Sequence, residues 1–340
     1  MATALTIVLT LLKSTSFAND LYINQVGDDL TLTVTQDGEN NSVRSLNTSS
    51  GYATVVGNDK TLTFSQTGDG NKIGSWQAGN NQTISITSVG NLNIATVDNH
   101  GDRNTQTIVQ NGNSNRTHVE IGNGGDNDNT MTVRQNGDNQ YAYVEADGDS
   151  NVIETWQGGG ADSSFIRTVT TGDSNNIDIR QGKKLDGSLD YNDSGGHESY
   201  VTVTGSNNTI DTSQVNSNGT SSDHHMAHII TGDSNTISHL QYANKKKQGF
   251  IEATGDNNTV TLEQRNSQNH FANVELTGDG HTVTGTQRGG NSAHNFNVDL
   301  TNSGGAYTLS TNQNSYNAQT YSLTGVCATA SGCAITVNQF

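Results

Sequence analysis

The chain has 340 residues, a formal net charge of -17, 38 Gly and no Pro, and only 30% of its residues are hydrophobic and 14% charged. So small an apolar share argues against a conventional enzyme core, and a pI near 4.7, with 16 Lys and Arg against 33 acids, argues against a nucleic-acid binder. Disorder is also disfavoured, because the chain is dense in β-branched Thr, Val and Ile.

Residues 2–12 read ATALTIVLTLL and are followed by Ser16-Phe17-Ala18, with small residues where a signal peptidase reads. This predicts an export signal over residues 1–18, cleaved after Ala18, although the nearby Lys13 lies on the wrong side for a basic leader. The run is too short for a membrane-spanning helix. Residues 19–340 are then expected to form one secreted domain with no transmembrane span.

From there the sequence is periodic. Glycines recur every eleven residues at Gly57, Gly68, Gly79, Gly90, Gly101 and Gly112, then at Gly125, Gly137 and Gly148. Beyond about residue 157 the spacing doubles, through Gly172, Gly205, Gly232, Gly255 and Gly278. Eleven residues make one strand and one tight turn, so the unit is a rung of about 22 to 23 residues, repeated roughly 14 times. The predicted fold is all-β, a β-solenoid with two strands per rung.

Alternate residues of a strand share a face. After each turn this parity places an amide, two aliphatic or small residues and a second amide inside: Asn71, Ile73 and Gln77; Asn151, Ile153 and Gln157; Asn175, Ile177, Ile179 and Gln181; Asn208, Ile210 and Gln214; Asn258, Val260, Leu262 and Gln264. Asn235, Ile237, Gln241, Val274, Leu276 and Gln287 extend the same set, whereas Asp178, Arg180 and Glu263 should face solvent. Buried amides are costly alone, but at rung spacing each can bond its counterpart above. Folding a rung about Gly232 further brings His228 opposite His239, predicting a buried, neutral imidazole pair.

The string Gln-x-Gly-x-x-Asn-x-(aliphatic), seen at Gln66-Thr67-Gly68-Asp69-Gly70-Asn71-Lys72-Ile73 and in part at Gln36-Asp37-Gly38 and Gln135-Asn136-Gly137, resembles the repeat of the curli subunits. The family's second Gln has counterparts in Gln77, Gln157, Gln181, Gln214, Gln241, Gln264 and Gln287. The resemblance covers nearly all of residues 20–340 and extends to curlin-like repeat proteins of marine bacteriophages. It implies a two-strand solenoid, secretion, and self-association into an adhesive extracellular fibre at a cell surface, or, as a second reading, a virion protein used in host adhesion. From residue 165 onward Thr170, Val203, Ile230, Ala253 and Leu276 replace the first-strand Gln, so half of the amide ladder is expected to lapse there.

One edge keeps its glycine turns throughout. The other opens into loops after Gln157, and these loops carry Lys183, Lys184, Lys245, Lys246, Lys247, Arg265 and Arg288. Insertions gathered on one edge of a repeat protein often form its binding face, so this basic edge is expected to meet anionic cell-surface polysaccharide or the acidic edge of a neighbouring molecule. On the tight edge Asp149, Asp173, Asp233, Asp256 and Asp279 each follow a turn glycine. They suggest calcium only weakly, because Asp at a turn has its own hydrogen-bonding role.

Catalysis finds little support in the sequence. His224, His225 and His228 are close in sequence, but extended residues four apart stand roughly 13 Å apart. No nucleotide loop or nucleophile triad emerges, so neither catalytic residues nor a cofactor is expected, and a polysaccharide-acting β-helix enzyme is a remote alternative. Near the carboxyl terminus Cys327 and Cys333, six apart in an exported chain, point to one small disulfide loop.

Overall fold

A computed structural model describes residues 6–11, 19–26, 28–44, 53–122, 126–158, 163–182, 196–216, 223–266, 268–289, 292–301, 305–324 and 327–340. Among these, every regular element is a β-strand. The chain divides into two compact units, Met1–Thr155 and Trp156–Phe340.

In the first unit, successive strands alternate between two parallel sheets. Leu30–Asp37, Lys60–Thr67, Thr83–Val89, Thr105–Asn111 and Thr130–Asn136 pair in register in one sheet. Ser42–Arg44, Lys72–Gln77, Ile94–Asn99, Arg116–Val119 and Tyr141–Val144 pair in the other. Thr6–Leu11, within the expected export signal, pairs in register with Thr31–Gln36. The expected cleavage site after Ala18, and the turn glycine Gly125, lie outside the described residues.

The second unit repeats this plan. Asn176–Gln181, Thr209–Val215, Thr236–Tyr242, Thr259–Gln264, Thr282–Arg288, Tyr307–Asn314 and Cys333–Gln339 form its first sheet. Phe165–Thr171, Glu198–Thr204, His225–Thr231, Lys247–Thr254, His270–Asn273, His294–Asp299 and Gln319–Thr324 form the second.

Period-two patterning explains why these segments are strands. In Thr236–Tyr242, Ile237, His239 and Gln241 are buried while Thr236 is exposed and Ser238 and Leu240 are half-buried on the outer face. Ile73, Ile153, Ile177, Ile179, Ile210, Ile237, Val260, Leu262, Val274 and Leu276 are all buried, and Asp178, Arg180 and Glu263 lie half-buried on outer faces. Each aliphatic so buried contributes about 1.5 to 3 kcal/mol.

The glycine turns are required by how closely the rungs approach. Gly232 has φ +121°, and a Cβ there would lie 2.1 Å from the carbonyl oxygen of Gly255 in the next rung. Only glycine accepts both the left-handed backbone and that contact.

Candidate functional site

Both units are held by columns of buried polar side chains, one member per rung. The longest in the second unit is made of glutamines. The Nε2 of Gln157 donates to the Oε1 of Gln181 (3.1 Å), and the chain of bonds continues through Gln214 (3.0 Å), Gln241 (3.2 Å), Gln264 (3.0 Å), Gln287 (2.8 Å), Gln313 (3.0 Å) and Gln339 (3.0 Å). The second hydrogen of each amide crosses the interior. Gln214 donates to the carbonyl of Glu198 (2.8 Å), Gln241 to His225 (3.0 Å) and Gln264 to Gln248 (3.0 Å). A glutamine here therefore ties the rung above to the facing sheet, which makes its burial tolerable.

In the first unit the equivalent column is broken. Gln36 donates to Gln66 (2.9 Å) and Gln110 to Gln135 (3.0 Å), but between them stands Ser88, whose hydroxyl donates to Gln110 (3.0 Å). Gln77, grouped by spacing with the family's second Gln, has no such partner: it lies opposite Asn99 in the other sheet and donates to Ser75 Oγ (2.6 Å). In that sheet Ile121 and Ala146, two residues beyond the paired Val119 and Val144, are already buried apolar residues. The loss expected from residue 165, where Thr170, Val203, Ile230, Ala253 and Leu276 are buried, thus begins earlier.

The asparagines add backbone bonds to amide-to-amide ones, which run from Asn208 Nδ2 to Asn175 Oδ1 (3.0 Å) and from Asn235 Nδ2 to Asn208 Oδ1 (3.1 Å). Asn71, Asn151, Asn175, Asn208, Asn235 and Asn258 are buried, and their principal partners are backbone groups. The N–H of Asn235 donates to the Oδ1 of Asn208 (2.9 Å), and the Nδ2 of Asn235 donates to the carbonyl of Gly255 (3.0 Å). In the first unit Asn71 likewise accepts from the N–H of Asn93 (3.0 Å) and donates to the carbonyl of Gly90 (2.7 Å). The side chain accepts an N–H from the neighbouring rung and donates to the turn glycine of that same rung, so Asn follows a tight turn.

Where loops replace the glycine turn, the second unit changes residue. The positions that open its second sheet are Ser164, His197, His224, Lys247, His270 and His294, all buried. The N–H of His224 donates to the Nδ1 of His197 (3.2 Å), that of Lys247 to the Nδ1 of His224 (3.2 Å), and that of His294 to the Nδ1 of His270 (3.1 Å). On the far side of the rings, Nε2 meets backbone carbonyls at or just past the ends of first-sheet strands: Val215 for His224 (3.3 Å), Arg265 for His270 (2.8 Å) and Arg288 for His294 (3.0 Å). This network assigns His224 and His270 the neutral tautomer with the proton on Nε2. The imidazole reproduces the accept-and-donate role of Asn with a longer reach, which suits an edge without a turn glycine. Rings stack in pairs, His197 on His224 at 4.9 Å and His270 on His294 at 5.1 Å. Lys247, which has no acceptor to continue the column, stands between them and donates to the carbonyl of Lys245 (2.6 Å).

Burial sets the titration of this column. It holds His224 well below the usual imidazole value, with repulsion from His197 and Lys247 adding to the effect. His270 is lowered to about 4 by burial, then by Lys247 and His294, and burial alone lowers Lys247 to about 7. His294 is lowered by burial, and so is His281, which takes the place of Asn in the other column and accepts from the N–H of Tyr307 (3.0 Å).

The pair expected from the turn geometry also meets. His228 Nε2 lies 3.0 Å from His239 Nδ1, and His239 Nε2 is 3.4 Å from the Oε1 of Gln264. His228 therefore donates to His239, which donates in turn to the glutamine column. Burial, then His239, keeps His228 well below its usual value, and burial lowers His239 to about 4. Gly249 makes room for this ring, since a Cβ there would lie 2.0 Å from His239 Cε1.

The expected basic edge divides. Lys245 and Lys246 are exposed, and Lys246 lines a shallow hollow of about 150 Å³ with Gln248, Asn269, His270 and Phe271. Lys247 is a correction: it belongs to the buried column, because period-two parity turns alternate residues of the lysine run inward. Arg265 and Arg288 both pair with Glu263, which takes up much of their charge. Lys183 and Lys184 lie outside the described residues.

On the tight edge, aspartates accept backbone N–H groups from neighbouring rungs: Asp149 from Asn127 (2.7 Å), Asp233 from Ser206 (2.7 Å), Asp256 from Asp233 (2.7 Å) and Asp279 from Asp256 (2.8 Å). The backbone N–H of Asp173 donates to Ser206 Oγ (3.1 Å). No group of three or more metal-binding side chains gathers among the described residues. Cys327 and Cys333 form a disulfide.

Stacked, in-register rungs closed by glycine turns and threaded by amide columns define a parallel β-solenoid. Residues 127–154 match the model of the curlin associated repeat, and the chain thus carries that repeat. The matched stretch takes in the strands Thr130–Asn136 and Tyr141–Val144 with the turns at Gly137 and Gly148. No curated protein matches the chain. Curlin repeats belong to structural proteins of the cell surface, and among the described residues no helix is long and apolar enough to cross a membrane.

Proposed function

We propose that this chain is a structural, adhesive component of an extracellular fibre, exported through its apolar leader and built to self-associate. The observation that carries this reading is the glutamine column from Gln157 to Gln339 within a curlin-repeat solenoid. A solenoid rung presents unpaired backbone groups and unmatched amides to whatever stacks on it, and a second copy of the chain offers both. Electron microscopy of the purified chain, with and without preformed seeds, tests this. Unbranched fibres whose growth is accelerated by seeds support it; particles that stay discrete at every concentration contradict it.

The exposed Lys245 and Lys246, beside the hollow formed with Gln248, Asn269 and Phe271, support anionic polysaccharide as the surface bound. Ammonium groups would meet carboxylate or sulfate, and the Phe271 ring would cover a sugar face. Replacing both lysines with Ala should weaken retention on a sulfated polysaccharide column several-fold and leave retention on a neutral one unchanged. Equal retention of the variant and the parent would remove this edge from the account.

A further inference from the structure

We propose that the Trp156–Phe340 unit is an acid-responsive element: its column of buried bases works only while the imidazoles are neutral, so mild acid opens this unit under conditions that leave Met1–Thr155 closed.

The geometry carries the inference. His224 and His270 each accept a backbone N–H through Nδ1 and face a backbone carbonyl through Nε2. Protonating Nδ1 converts that acceptor into a donor aimed at another donor, and the rung-to-rung bond becomes a repulsion. The new charge is also buried against other bases. The charged or titratable groups acting on His224 are His197 and Lys247, those on His270 are Lys247 and His294, and that on His228 is His239. None of these is a carboxylate; among the described residues, Asp279 beside His281 is the acid that acts on a buried imidazole of this unit.

The sign follows from the lowered values. A group with a folded pKa below its unfolded value of about 6.5 binds more protons in the open state, so closure is favoured above pH 6.5 and is progressively lost as pH falls toward about 4. His239 and His270, both lowered to about 4, span that whole window. Lys247, at about 7, is already charged at its top and adds a fixed repulsion below it.

In the first unit the same positions are Asn41, Asn71, Asn93, Asn115 and Gln140, linked by the same backbone bonds, and amides do not titrate. Its buried base, Lys60, donates to Gln82 Oε1 (2.9 Å) and is lowered by burial to about 8, above the window.

Hydrogen exchange of the full chain, resolved by peptide and corrected for intrinsic rates, is the test. Each proton taken up on opening changes the opening equilibrium tenfold per pH unit, so exchange in strands between residues 197 and 299 should speed up roughly 100-fold or more from pH 6.5 to 4.5. Strands between residues 60 and 144 should change less than about tenfold over the same range. Unchanged protection in the second unit, or equal loss in both, would overturn the proposal. In the triple variant His224→Gln, His270→Gln, His294→Gln, which keeps an acceptor and a donor at each position, the acid response should shrink while protection at pH 7 persists. If that variant fails to fold, imidazole titration of the parent decides: native-state midpoints below about 5 sustain the proposal, and midpoints near 6.5 with protection retained refute it.

Discussion

The two units use one backbone plan and differ in what fills the buried columns. In Met1–Thr155 glycine turns bound the rungs on both edges, and the columns that open its strands are amides except at Leu30 and Lys60. In Trp156–Phe340 one edge keeps its glycines, with Asn175, Asn208, Asn235 and Asn258 behind them, while the other carries loops, with His197, His224, Lys247, His270 and His294 behind those. The column follows the edge at these positions, whereas His281 and Lys60 are bases behind glycine turns. A tight turn offers a glycine carbonyl to a short amide; on the other edge imidazoles meet carbonyls at strand ends, and the lysine stem meets that of Lys245. The cost of that solution is titration, because a base buried without an acid partner is stable only when neutral.

The glutamine column differs in the opposite sense. It is interrupted at Ser88 in the first unit and runs from Gln157 to Gln339 in the second. The largest expected effect therefore comes from breaking it. Gln241→Leu removes the bonds Gln241 makes with Gln214 Nε2, Gln264 Oε1 and the carbonyl of His225; Gln214 keeps its bond to Glu198 and Gln264 its contact with His239. At about 1 to 3 kcal/mol for each buried group that loses a bond, the loss should be about 4 kcal/mol. Chemical denaturation followed by peptide-resolved exchange should show it in the second unit and not in the first.

Gly232→Ala attacks a glycine-turn edge, a feature found in each unit. It places a Cβ 2.1 Å from the Gly255 carbonyl oxygen at φ +121°, and should cost about 3 kcal/mol in the same denaturation experiment. A cost below 1 kcal/mol would show that the rungs stack less closely than described.

His281→Asn sharpens the comparison by making one position of the second unit resemble the first. His281 follows Asn258 in the column and accepts from Tyr307, a role Asn fills elsewhere. Stability at pH 7 should change by less than about 1 kcal/mol. At pH 5 the variant should be the more stable protein, because the lowered pKa of His281 makes the parent lose stability below about 6.5. A variant equally sensitive to acid would mean that this imidazole takes no part in the response.

Much of the fold was legible in the sequence because one rule, period-two parity after each glycine turn, fixes both the strands and their inner faces. The same rule located His228 opposite His239, since that pair straddles a short turn of constant length. The basic column was missed for the opposite reason. Its members follow variable loops, so neighbouring residues give no clue, and Lys247 is the last of three consecutive lysines that look like solvated surface. The signal was nevertheless present: His197, His224, Lys247 and His270 are separated by 27, 23 and 23 residues, the intervals between Gly205, Gly232, Gly255 and Gly278. The division of labour between Asn and Gln was also hidden, because spacing shows that an amide is inside but not whether it bonds another amide or the backbone.

The central claim is that buried imidazoles in the second unit stand in for amides as neutral acceptors and donors. Long-range nitrogen–proton NMR correlation on the full chain at pH 7 tests it directly, since it distinguishes the two neutral tautomers from the cation. His224, His239, His270 and His281 should each show a bare Nδ1 and a protonated Nε2. Imidazolium signatures, or protons on Nδ1, at these positions would contradict the account.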